Sequence, residues 1–199
     1  MATKIERDFR FMAGVHFEKK FIMNVYEVKL GMEVETESIL EQNIAMDRII
    51  YFLGECLSDS VFIESKETQA IDHYIKAGMK VCTLPEEPYD QIIAMLLILK
   101  CNFITEGRLL IRHIELKSEL SDNVKFIYDL ESAANNPFDR KSWWLDKYPT
   151  ICDLVKNNKK EKIVKLTKSI DWKMVGLEWE DESSIADILE LKNEANRPE

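Results

Sequence analysis

Three histidines, His16, His73 and His113, and four cysteines, Cys56, Cys82, Cys101 and Cys152, are the side chains of this 199-residue chain best suited to hold a metal or attack a substrate. Their spacing supports neither use. No C-x-x-C pair occurs and no histidine stands at finger distance from a cysteine, so the cysteines read as small buried hydrophobes rather than a zinc ribbon or redox motif. The histidines are far apart in sequence and would serve a metal only if the fold gathered them. H-E-x-x-H, G-x-S-x-G and an EF-hand loop are all missing. The six glycines are isolated from one another, and a phosphate cradle needs clustered glycines so that backbone amides can approach the anion. The Glu86-Glu87 pair is explained by a helix entrance, where carboxylates favour the positive end of the dipole. The expectation is a chain with no catalytic set, no metal centre and no cofactor. The Trp143-Trp144 pair, in a turn-rich stretch, is the candidate interaction element. One ring would anchor a C-terminal extension to the core and the other would contact a subunit or partner, with simple intramolecular docking the plainer reading.

Bulk properties narrow the field. An apolar fraction of 46% and a charged fraction of 32% provide a core and a solvated surface. A net charge of −9 repels polyphosphate, which argues against general nucleic-acid binding. Met1 to Asp8 has no apolar stretch of the signal-peptide kind. The longest apolar run, Ile92 to Leu99, falls well below the roughly 20 residues a bilayer span needs. The expected location is the cytoplasm, without membrane contact. A Lys/Asn/Ile-rich style gives an impression of viral origin, which would place the chain in host cytoplasm.

The elements that must position any site follow from periodicity. Lys4 to Ala13 and Tyr26 to Val34 alternate with period two and pair as an antiparallel hairpin. Asn43 to Leu57 turns helical through Met46, Ile50, Leu53 and Leu57. Val61 to Ile63 is a short apolar stop, Glu67 to Ala77 a small helix ended by Gly78, and Met79 to Leu84 a short strand. Pro85-Glu86-Glu87-Pro88 opens a helix from Tyr89 to about Cys101 that is apolar nearly all round. Arg108 to Glu119 and Asn123 to Tyr128 complete the pattern as strands. The fold class is therefore α+β, an antiparallel sheet with helices on one face. It occupies residues 1–130, with an extension over 131–199. That extension carries a lysine-rich stretch from Lys156 to Lys168, an acidic stretch from Glu178 to Glu194, and a terminal helix capped at Ser183 or Ser184.

The order of elements from Arg7 to Asp129 resembles the tunnelling fold of the 6-pyruvoyl-tetrahydropterin synthase and 6-carboxy-tetrahydropterin synthase family. Asp8-Phe9-Arg10-Phe11-Met12-Ala13 looks like that family's opening strand and Tyr26-Glu27-Val28-Lys29-Leu30 like its second. Pro85-Glu86-Glu87 is similar to its proline-led helix. Ile114-Glu115-Leu116-Lys117-Ser118-Glu119 with Phe126-Ile127-Tyr128 looks like its final hairpin, where a glutamate recognises the amidine-like edge of a pterin or purine. The resemblance makes Glu119 the candidate ligand contact, with His16 beside it as the residue displaced by one from the family's first zinc position. The other departures are chemical. Val15 occupies that first position, Ile22 and Asn24 stand near the H-x-H pair, Phe17 to Met23 contains no cysteine, and Asp59-Ser60 replaces an Asp-His pair.

The resemblance implies a homo-oligomer, because family members close their sheets by association and open edges need cover. The leading expectation is a non-catalytic binding protein that sequesters a purine- or pterin-like small molecule or nucleotide. The alternative is a phage-type accessory protein that binds and modulates a host protein. An active pterin-type lyase ranks third, since the cation and general base that such a reaction uses have no counterpart here.

Overall fold

The computed structural model describes residues 3–135, 138, 142–153 and 170–179. The lysine-rich stretch, most of the acidic stretch and the terminal helix expected from the sequence lie outside the described residues. Six strands and four helices follow the order β1 (Lys4–Phe17), β2 (Lys20–Val34), α1 (Ile39–Tyr51), β3 (Ser60–Glu64), α2 (Thr68–Lys76), β4 (Lys80–Leu84), α3 (Asp90–Thr105), β5 (Leu109–Ser118), β6 (Phe126–Asp129) and α4 (Leu130–Ala134). A π-helical turn, Phe52–Leu57, continues α1, and short 3-10 turns cover Trp143–Leu145 and Trp172–Val175.

The α+β class stands, and the sheet is mixed. Its order is β4-β3-β1-β2-β5-β6. The β1-β2, β2-β5 and β5-β6 pairs are antiparallel, whereas β1-β3 and β3-β4 are parallel. The parallel part arises where the sequence shows only an apolar stop, Val61 to Ile63, because two strands joined through a crossover helix must run the same way. That crossover, α2, also departs from a one-faced arrangement. Ile71 of α2 packs with Ile63 and Val81 in a cluster of its own, while Phe62 and Cys82 turn to the main core. Period-two alternation thus gives β3 and β4 two buried faces.

The β1-β2 hairpin is longer than its periodicity suggests, since pairing runs unbroken from Lys4↔Glu33 to Phe17↔Lys20. Glu18 and Lys19 are left as a two-residue turn, with φ of 48° and 62°. Such turns need positive φ at both positions and favour Asn-Gly, because a Cβ there crowds the backbone.

The core lies between the sheet and α1 and α3. Phe11, Ala13 and Val15 of β1, Tyr26, Val28, Leu30 and Met32 of β2, and Leu109, Ile111, Ile114 and Leu116 of β5 are all buried. The step from Ile111 to Ile114 breaks the alternation where the β2-β5 register shifts beside Gly31. Here the His113 ring lies on Gly31, where a Cβ would come within 1.9 Å of it, so any larger residue would have to displace the ring.

Residues 142–153 and 170–179 join the same core through two buried cations. Lys100 of α3 is fully buried, and its Nζ donates to the carbonyls of Trp143 (2.7 Å), Asp146 (2.7 Å) and Tyr148 (2.5 Å). An ammonium has three protons to give, and all three are used. Arg48 of α1 donates to the Leu177 carbonyl (2.7 Å) and to Glu106 Oε1 (2.8 Å), and its guanidinium lies 3.7 Å from the Trp179 ring centre and 4.8 Å from that of Trp172.

Replacing Glu18-Lys19 by Asn-Gly is expected to stabilise the fold by about 1–2 kcal/mol in urea denaturation, and no gain would show that the turn is relaxed. Burial pulls the Lys100 pKa down to about 8 from its ordinary 10.5. Between those values the unfolded chain holds a proton that the folded chain has shed, so stability rises with pH across this window. The melting temperature of the native chain, minus that of Lys100→Met, is therefore expected to increase from pH 8 to pH 10. A flat difference would place the amine in water.

Candidate functional site

The inward stripes of three strands end in polar residues at the same end of the sheet. In β2 the series Met32, Leu30, Val28, Tyr26 reaches Asn24, in β5 Ile114 and Leu116 lead to Ser118, and in β3 Phe62 is preceded by Ser60. The register brings these together. Ala13 pairs with Asn24, Gly14 with Val61, and Tyr26 with Ser118, so Ser60 and Asn24 flank the small side chain of Ala13 from either side. Helix α3 begins at this end with Asp90, which is buried because the apolar helix behind it draws its first turn into the core.

Asp90 Oδ2 accepts hydrogen bonds from the Ser118 hydroxyl (2.6 Å) and the Ser121 hydroxyl (2.5 Å). On the other side of the same turn, Asn24 Oδ1 accepts from the backbone N–H of Leu120 (3.1 Å) and of Val25 (3.0 Å). Two donors on one atom identify it as the amide oxygen and make the remaining atom, Nδ2, a pure donor. Nδ2, the Tyr26 hydroxyl and Ser60 Oγ complete no hydrogen bond of full geometry among the described residues, although Asn24 and Tyr26 are close enough for the amide to lower the Tyr26 pKa by hydrogen bonding. All three residues are at most 2% exposed. Tyr26 stacks on Phe11 at 5.2 Å between ring centres and meets Phe62 edge-on at 5.5 Å. Burial, with the Asp90 charge adding to it, raises the Tyr26 pKa far above the ordinary phenol value, and the neighbouring Asn24 opposes the shift. The hydroxyl therefore keeps its proton. Beside the cluster, Tyr89 packs edge-on against Phe17 at 5.5 Å and remains partly exposed, as does Leu120 in the turn.

The arrangement offers donors and one carboxylate rather than an activated nucleophile. Ser118 and Ser121 give their protons to Asp90. The thiols of Cys56, Cys82 and Cys101 are held protonated by burial, which pushes Cys56 up to about 11 and Cys101 up to about 12. Among the described residues no three His, Cys, Asp or Glu side chains gather as a metal cage. The zinc positions implied by the family resemblance do not fit that ion either, because Val15 and Ile22 are aliphatic and the Asn24 oxygen already accepts two N–H groups.

The residues singled out from sequence fall elsewhere. Glu119 is exposed, since the alternation that turns Ser118 inward leaves its neighbour outward, and its backbone N–H bonds to the Val25 carbonyl. His16 lies at the hairpin end of β1, where its Nδ1 is 2.9 Å from the Tyr74 hydroxyl of α2. His73 also packs against Tyr74, while His113 sits on Gly31 far along the sheet, so two of the three histidines share a neighbour and the third does not. His16 and Glu119 do not meet. Trp143 and Trp144 are both buried, at 1% and 3% exposure, and Trp143 Nε1 donates to the Thr83 carbonyl at 2.7 Å. Neither ring is exposed: adjacent residues of a 3-10 turn pack at 5.8 Å as an edge-on pair. Sequence reading missed Asp90, Asn24 and Ser60. The available signal was Asn24, a polar residue interrupting the apolar series of β2.

The opposite face of the sheet carries a groove of about 540 Å³ lined by Asp8, Arg10, Glu27, Lys29, Glu115, Lys117 and Lys125 among others. Most of its charges are paired, Lys117 with Glu27 (2.7 Å), Lys125 with Glu115 (2.7 Å) and Lys29 with Glu6 outside the groove (2.6 Å).

No family model matches the chain, and no curated protein matches it. Among solved structures it is similar to an uncharacterized protein from Wolinella succinogenes, with 10% identity and a TM-score of 0.47 over 65% of this chain and 99% of that one. It is also similar to the 6-pyruvoyl tetrahydropterin synthase of Plasmodium vivax, with 8% identity and a TM-score of 0.42 over 64% of this chain and 97% of that one. No helix among the described residues is long and apolar enough to cross a membrane.

A polar group with no partner in a core costs about 1–3 kcal/mol. In the ligand-free protein, Tyr26→Phe is therefore expected to raise unfolding stability by about 1 kcal/mol, read by urea denaturation. A loss instead would show that the hydroxyl is bonded.

Proposed function

We propose that this chain is a binding protein that holds a purine- or pterin-like small molecule at the Asp90–Asn24 end of the core without transforming it. One observation carries the reading: a buried carboxylate fixed by two hydroxyls stands beside three buried polar groups that complete no hydrogen bond of full geometry among the described residues. Polar atoms left unmatched in a native core call for an explanation, and a ligand that supplies the missing partners is the functional one. A flat heterocycle has N–H groups to give Asp90 and acceptors for the donors opposite, and Phe17 with Tyr89 provide aromatic surface next to Asp90. Holding without turnover fits the chemistry present, since the serine hydroxyls are engaged by a carboxylate, a weaker base than the histidine that ordinarily activates a serine nucleophile, and the buried thiols of Cys56, Cys82 and Cys101 keep their protons.

The chain in this reading is a homo-oligomer. Its support is the four-residue edge strand β6 and the exposed Met12, Phe21, Met23 and Ile127 on the uncovered sheet face. A solution mass of one chain would remove this part. The alternative of a phage-type protein acting on a host protein loses Trp143 and Trp144 as its contact and gains no other support.

Thermal-shift measurements with pterins, guanine nucleotides and free oxopurines are the direct test. Asp90→Asn is expected to abolish a ligand-dependent rise in melting temperature, and Glu119→Ala to preserve it. Loss of the shift in Glu119→Ala alone would move the ligand to the outer face. No shift with any of these compounds would overturn the reading.

A further inference from the structure

We propose that the open edge of β6 pairs with the same edge of a second copy of this chain, antiparallel and centred on Ile127, so that the chain assembles as a two-fold dimer rather than a ring. The proposal rests on the self-association read above and gives it a surface and a symmetry. The sheet has two edge strands, β4 and β6. The β4 edge is already engaged by this chain. Thr83 of β4 accepts the Trp143 Nε1 proton on its carbonyl (2.7 Å), gives its N–H to the Ile151 carbonyl (3.1 Å) and accepts the N–H of Asp153 on Oγ1 (3.3 Å). A neighbouring strand would have to displace those contacts to bond there. β6 differs: Phe126–Asp129 pairs with β5 on one side, and no strand among the described residues lies on its other side. Alternate N–H and C=O groups along that side are left for a partner. With the β4 edge taken, head-to-tail pairing of unlike edges is disfavoured, and pairing of like edges about a two-fold axis remains.

Side chains select the register. Centring the pair on Ile127 sets Lys125 opposite Asp129 of the second copy, Phe126 opposite Tyr128, and Ile127 opposite itself. Lys125, Ile127 and Asp129 are all exposed and share one face of the strand, while Phe126 and Tyr128, each half-buried, share the other. One face of the contact then carries isoleucine on isoleucine between two ion pairs, and the other carries two aromatic pairs. Opposite-charge, aliphatic and aromatic cross-strand pairs are those that stabilise an antiparallel ladder. Moving the centre to Tyr128 would set Ile127 against Asp129, and moving it to Phe126 would set Ile127 against Lys125. Only the Ile127 centre matches charge with charge and apolar with apolar. Ile127 is 59% exposed and Val124, just before the strand, 53%, apolar side chains at the kind of edge where a protein built to stay alone places charges or proline. Lys125 also reaches Glu115 of β5 at 2.7 Å, so in the dimer its ammonium lies between that carboxylate and Asp129 of the second copy.

Sedimentation velocity over a concentration series reads the assembly directly. The native chain is expected to reach twice its chain mass and to stop there. Ile127→Asp sets two carboxylates face to face on the axis and is expected to raise the dimer dissociation constant about tenfold or more. Lys125→Asp and Asp129→Lys each set like charges opposite one another and are expected to weaken the dimer several-fold, while the double exchange restores it. That recovery separates a contact between copies from a loss of the Lys125–Glu115 pair within one chain, which the double exchange does not repair. Cross-linking is the second measurement and serves even where Ile127→Asp fails to fold. Residues opposite in an antiparallel pair have Cβ atoms about 4.5–5.5 Å apart, so Ile127→Cys is expected to give a disulfide-linked dimer under mild air oxidation. Asp129→Cys, whose counterpart lies several residues along the strand, is expected to give none. A native mass of one chain would overturn the proposal and the self-association it rests on, and would leave ligand binding at the Asp90 end untouched. A ring of three or more chains, or a dimer that is indifferent to Ile127→Asp and is not trapped by Ile127→Cys, would overturn the β6 contact alone.

Discussion

One turn, Ser118 to Ser121, is gripped from two sides, by the carboxylate of Asp90 and by the amide oxygen of Asn24. The grip ties the first turn of α3 to the end of β5 and the start of β2, three pieces of chain remote in sequence. A buried carboxylate is tolerable only when its oxygens are bonded, and Asp90 accepts both hydroxyls within reach. That constraint fixes where α3 enters and leaves the apolar stripes of the sheet unfinished at this end. The unfinished end is where polar side chains with incomplete hydrogen bonds collect.

At the other side of α3 the same physics works in the opposite sense. Lys100 and Arg48 are as buried as any residue of the core, yet each is surrounded by what its charge requires: three carbonyls for the ammonium, a carboxylate and indole faces for the guanidinium. These cations make the segment around Trp143 and the segment around Trp179 parts of one core rather than additions to it. The Lys100 ammonium has given all three of its protons to carbonyls and has none left for a guest.

Much of the architecture was readable because periodicity reports burial directly. The hairpin, the apolar α3 and the β5 strand follow from alternation and helical spacing. What escaped was set by partners distant in sequence. Val61 to Ile63 looks like a stop until β1 and β4 give it neighbours on both edges. Glu18-Lys19 has no turn signature, and only the unbroken register on either side forces it to turn. The candidate site suffered most. Asp90 is indistinguishable in sequence from any acidic helix start, and Glu119 was preferred to it through the resemblance, one residue away from the inward position that Ser118 takes. Asn24 alone broke a visible pattern, and its meaning depended on two backbone N–H groups that no local reading supplies.

Magnitudes decide between the two faces of the sheet as a location for function. The lysines and glutamates of the outer groove already pair in water, where such pairs contribute little to either stability or recognition. The inner end holds three unmatched groups, each costing about 1–3 kcal/mol, a sum comparable with a good part of the roughly 5–15 kcal/mol that keeps a typical domain folded. Apolar replacements would remove this cost with little change of shape, Phe for Tyr26 and Ala for Ser60 among them. Tyr26, Asn24 and Ser60 together make this end of the core less stable than an apolar filling would, and that cost is what the proposed binding role accounts for.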